Sequence, residues 1–193
     1  MQRSAQSKEN MNNQKIRLWQ AEMVRIFLTG LVLLIPKIPF SIKIILIMFF
    51  DRLDCSAYFY PKKGPLFSDQ KEICFTTYYS FADKIGDILS YTLLWLYYLY
   101  YVESQYILKV YITFWFFIRV IGTILFTNSQ NKKWIILFPN VFLESLLIIA
   151  ILQDLNFAYD QYQYLYWILL FGVILYKLIQ EILLHQKIEK ILN

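Results

Sequence analysis

Two pairs of aspartates are the side chains in this sequence whose spacing could do chemistry. Asp51 and Asp54 are spaced i,i+3, and Asp83 and Asp87 are spaced i,i+4. On a helix each pair shares one face. Together they are four of the seven aspartates in the chain. Carboxylate oxygens are hard donors that suit Mg²⁺, Mn²⁺ or Ca²⁺, with water and phosphate completing the shell. Four such groups in one site would not remain ionised together without a cation. If the quartet converges, a divalent metal site is therefore expected.

The elements that must position these residues are apolar helices. Of 193 residues, 58% are hydrophobic and only 17% are charged, against about a quarter charged in soluble domains. Only five Gly and five Pro interrupt the chain. A bilayer span needs about 20 apolar residues. The pattern predicts an all-α membrane protein with six transmembrane helices in one bundle, at about 19–35, 40–54, 78–102, 105–126, 134–152 and 164–184. Residues 1–16 form a polar tail, 17–186 the membrane domain and 187–193 a second polar tail. Pro36 and Pro39 bracket a turn, Pro61 to Pro65 mark a loop, and Phe138-Pro139-Asn140 predict a kink.

Charge sets the orientation. With both termini inside, twelve basic residues flank the spans on the inner side and Lys37 alone on the outer. No secretory leader is expected, because no short apolar segment with a cleavage site follows the polar tail. The inner and outer assignment is compatible with the endoplasmic reticulum or the mitochondrial inner membrane.

Ionisable groups inside spans are costly and by default suggest a function. Here they gather in the inner half: the four aspartates, then Arg119, Glu144, Lys177, Glu181 and His185. A cavity open to the inner side is the economical picture. Arg119 and Glu144 are expected to pair between neighbouring antiparallel helices. Lys177, Glu181 and His185, spaced i,i+4,i+8, form a stripe along the cavity or its mouth.

The segments Asp51-Arg52-Leu53-Asp54-Cys55-Ser56-Ala57-Tyr58-Phe59 and Tyr79-Ser80-Phe81-Ala82-Asp83-Lys84-Ile85-Gly86-Asp87 resemble the signature of the CDP-alcohol phosphotransferase family. That signature is D-x-x-D-G-x-x-A-R followed by G-x-x-x-D-x-x-x-D. All four aspartates are present. Cys55 and Tyr79 stand at the glycine positions, and Tyr58 and Phe59 at Ala-Arg. The resemblance implies six helices, Mg²⁺ or Mn²⁺ held by Asp51, Asp54, Asp83 and Asp87, and Asp87 as the base that deprotonates the acceptor alcohol. It also implies transfer of a phosphatidyl or phosphoalcohol group from a CDP-linked donor, in phospholipid synthesis. Arg52, Lys62, Lys63 and Lys84 are the candidates to contact phosphate in place of the missing arginine.

Other classes are less well supported. The net charge of +5 flanks apolar segments rather than forming a basic patch with exposed aromatics, so no nucleic-acid partner is expected. Cys55 and Cys74 lack metal-ligand spacing. The alternative to an enzyme is a non-catalytic accessory subunit of a larger membrane complex on the same helical plan. Membrane lipid is the expected partner in either case, together with a second copy of the chain or other subunits.

Overall fold

The computed structural model describes residues 19–53 except 21, 77–129, 134 and 138–192, and of 52–53, 77–81, 181–182 and 184–192 it describes the backbone alone. All regular structure among them is helical. We label the helices α1 (22–34), α2 (Phe40–Leu53), α3 (Thr77–Tyr101), α4 (Tyr106–Ser129), α5 (Phe142–Asp154) and α6 (Tyr159–Leu192).

The breaks fall where backbone chemistry requires them. After α1 the chain passes Pro36 and Pro39, with Lys37 between them in the left-handed region at φ 67°. Pro39 stands just before α2, where a helix start does not need the amide that proline lacks. Its carbonyl accepts the Lys43 amide at 3.2 Å. The kink expected at Phe138-Pro139-Asn140 is a full break: residues 138–141 are not helical and α5 begins at Phe142. Proline clashes with the preceding turn and cannot donate to it. A left-handed Asn156, at φ 60°, makes the turn between α5 and α6. α6 is interrupted once, at Tyr162, where φ is −120° and ψ is 25°.

Two helical stretches, Tyr106–Ser129 and Tyr159–Gln180, are long and apolar enough to cross a bilayer. α2 has 14 residues and α5 has 13. At 1.5 Å per residue each is only about 20 Å long, short of a hydrocarbon core of about 30 Å. α3 has 25 residues but carries Asp83, Lys84 and Asp87 near its start.

The chain divides into two units: Met1–Pro36 with Leu46–Leu93, and Lys37–Ile45 with Leu94–Asn193. In the first, α1 buries Glu22, Arg25, Thr29, Val32 and Leu33 on one face and exposes Met23, Phe27, Leu31 and Leu34 on another. Over residues 22–29 the polar groups lie inside and the apolar groups outside, the reverse of a soluble helix.

In the second unit, α5 packs on both α4 and α6. α4 buries Leu108, Ile112, Phe116, Arg119, Thr123 and Phe126, at spacings of three and four. It exposes Ile107, Val110, Phe114, Phe117, Ile121 and Ile124 with the same period. Aromatic rings fill the core. Trp95 stacks on Phe116 with centroids 4.7 Å apart, and Phe116 meets Phe142 edge-on at 5.6 Å. Gly122 lies against Phe138 so closely that a Cβ there would overlap the Phe138 Cβ.

Candidate functional site

The first unit gathers its charged side chains around one guanidinium. Arg25, on α1, is 3% exposed. Its Nη1 donates to Asp51 Oδ1 at 2.8 Å and lies 3.2 Å from Asp87 Oδ1 and 3.7 Å from Asp83 Oδ1. Its Nη2 donates to the Asp83 carbonyl at 3.1 Å and pairs with Glu22 at 2.6 Å. Lys84 lies on the same turn of α3 as the two aspartates. Its Nζ reaches Asp83 at 2.7 Å and Asp87 at 3.0 Å.

Each helix supplies its part for a local reason. Asp51 sits in the last turn of α2. Asp83 and Asp87 are one turn apart on α3, so their side chains reach the same neighbour. Glu22 and Arg25 are three residues apart on the buried face of α1. Gly86 makes the approach feasible, because a Cβ there would overlap Glu22 Oε2 and Arg25 Nη2.

Three of the four aspartates meet at this guanidinium, Asp51 from α2 and Asp83 and Asp87 from α3. Arg25 and Glu22 are not among the residues that motif spacing singles out. The available signal was the inside-out pattern of α1, whose polar residues share the stripe opposite Met23, Phe27 and Leu31. Lys84, a candidate for phosphate, is engaged with the aspartates beside it. Asp54, Lys62 and Lys63 lie outside the described residues, as do the side chains of Arg52, Glu181 and His185.

Among the described residues the cluster brings four carboxyl groups to two cationic side chains. The donors are hard oxygens, so the set fits a divalent cation in kind. Its centre is a guanidinium, and among the described residues no three acidic, histidine or cysteine groups form a ready cage. An ion entering here would share the carboxylates with Arg25.

The remaining candidates lie in the second unit. Glu144 pairs with Lys177 of α6, and not with Arg119 as expected. The reason is the break at Pro139. Helix α5 starts at Phe142, so Glu144 stands in its first turn rather than mid-helix, within reach of Lys177. Arg119 is buried on α4. Comparisons with protein-family models, with curated proteins and with solved structures each find no match to this chain.

Proposed function

We propose that this chain is a multi-pass membrane protein and a CDP-alcohol phosphotransferase-like enzyme, transferring a phosphatidyl or phosphoalcohol group to an alcohol in phospholipid synthesis. The observation that carries this reading is the meeting of Asp51 with Asp83 and Asp87 around one buried guanidinium. Convergence of carboxylates from separate helices is what a two-metal phosphoryl site needs, and isolated surface aspartates would not produce it. The membrane reading is supported by Tyr106–Ser129, Tyr159–Gln180 and the apolar stripes that α1 and α4 turn outward.

Within this reading each side chain has a task. Asp51, Asp83 and Asp87 would hold Mg²⁺ or Mn²⁺, which when bound neutralises a pyrophosphate and its leaving nucleotide. Asp87 takes the proton of the acceptor hydroxyl. Arg25 keeps the carboxylates gathered, and Lys84 offsets the charge of Asp83 and Asp87. The test is CMP release from CDP-linked donors by the purified chain with Mg²⁺ across a panel of acceptor alcohols. Release that is lost in Asp87→Asn supports the reading. No release with any acceptor, together with wild-type behaviour of Asp87→Asn in cells, refutes it.

The engagement of all three aspartates by Arg25 and Lys84 favours a second reading. In it the cluster is an internal ion lock, and the chain is a non-catalytic subunit of a larger membrane assembly. Extraction in mild detergent separates the two. A stable particle with other chains supports the subunit, whereas a homodimer counts against it.

A further inference from the structure

The second unit contains a cavity of about 540 Å³ where the α3–α4 connection meets the α5–α6 turn. Its lining is one-sided in charge. Glu103 and Asp160 contribute carboxylates, and no basic side chain lines it among the described residues. The nearby Lys109 is turned elsewhere, its Nζ donating to the Leu99 carbonyl at 2.8 Å. Asp160 accepts only long hydrogen bonds from Gln105, at 3.3 and 3.4 Å.

The apolar part of the lining is Leu108, Ala158 and the rings of Phe157 and Tyr159, with the buried Tyr166 behind them. Internal hydrogen bonds occupy the two phenol groups and so hold the rings in place. Tyr166 donates to the Phe157 carbonyl at 2.8 Å, and Tyr159 accepts from Trp167 Nε1 at 3.0 Å. The two tyrosine rings lie 5.3 Å apart at 66°. Fixed aromatic faces attract a cation through their quadrupole, and alkylated ammonium groups suit them because their hydration is weak. Carboxylates at the rim supply the long-range attraction. An anion would meet two like charges here, and a neutral ligand would gain nothing from them.

We propose that this cavity binds an alkylammonium group, held over Phe157 and Tyr159, with Tyr166 fixing the Tyr159 ring from behind, and balanced by Glu103 and Asp160. The group comes either from a lipid headgroup or from a free water-soluble amine, and the recognition chemistry is the same. The site stands independently of the phosphotransferase reading, since none of its residues belongs to the aspartate cluster.

The experiment is equilibrium dialysis of labelled choline against the full chain in phosphatidylglycerol nanodiscs, beside its uncharged isostere 3,3-dimethylbutanol. Saturable choline binding is expected, at least about tenfold tighter than the isostere and about tenfold weakened by Glu103→Gln with Asp160→Asn. Tyr159→Leu is expected to weaken it as well. Repeating the titration in phosphatidylcholine nanodiscs identifies the source. Competition by the lipid assigns the site to a headgroup, and unchanged binding assigns it to a free amine. If choline fails to bind in phosphatidylglycerol, or the isostere binds equally, or the double carboxamide variant binds as the wild type does, the proposal is overturned.

Discussion

In the first unit the charged side chains meet, and in the second they are kept apart. Arg25 touches Glu22, Asp51, Asp83 and Asp87 at once. In the second unit charge is handled locally: Lys177 with Glu144, Lys43 with the hydroxyl and ring of Tyr97, and Asp154 with the Ser41 amide. The packing differs accordingly. The second unit is held by stacked aromatics such as Trp95 on Phe116, whereas α1 buries its polar residues as its interior face. A buried ion cluster is an all-or-none device, because removing one member strands the rest. Dispersed pairs fail one at a time.

The largest effect is expected at the centre of the cluster. Arg25→Met strands Asp51 and Asp87 without their guanidinium and is expected to destabilise by about 3–5 kcal/mol. Thermal unfolding in detergent checks this, and adding Asp51→Asn should recover part of the loss. A cost no larger than that of Lys177→Met would erase the contrast between the units.

Next comes Gly122→Ala. The overlap there is with Phe138 Cβ, which the backbone holds, so about 1–3 kcal/mol should be lost. Gly86→Ala sharpens the comparison, because its overlap is with the far ends of Glu22 and Arg25, which can swing away. Helix propensity also favours alanine by up to about 1 kcal/mol. Swinging away takes the guanidinium off the aspartates, however, so the variant should lose part of the stability that Arg25→Met loses. Wild-type unfolding of Gly86→Ala would show that the two ends re-pack without leaving the cluster.

Lys177→Met removes one partly exposed pair and should cost about 1 kcal/mol or less by the same unfolding measurement. Tyr98→Phe, which removes the 2.7 Å hydrogen bond to Ser104, is expected to have a similarly small effect, about 0.5–1.5 kcal/mol.

What the sequence reveals and what it hides follow from separation along the chain. Asp83 and Asp87 are one turn apart, so helical period alone places them together. Arg25 joins Asp51 across 26 residues and the Asp83 carbonyl across 58, and no local pattern encodes that meeting. Its trace is the inverted amphipathicity of α1, which is visible only when the apolar face is taken as the outer one. The Glu144 pairing was misread because its partner depends on where α5 starts. Pro139 signals a disturbance, but residue pattern does not say whether the helix bends there or, as found, restarts at Phe142. The cavity beside Glu103 was missed for a related reason, since two connections far apart in sequence build it.

The Glu22–Arg25 pair has a consequence for the order in which the first unit folds. Its two members lie one turn apart on α1, so they can pair as soon as that helix forms. Asp51, Asp83 and Asp87 reach the same guanidinium only when α2 and α3 dock. Docking is then an exchange among partners, and the guanidinium is never buried without a counter-ion.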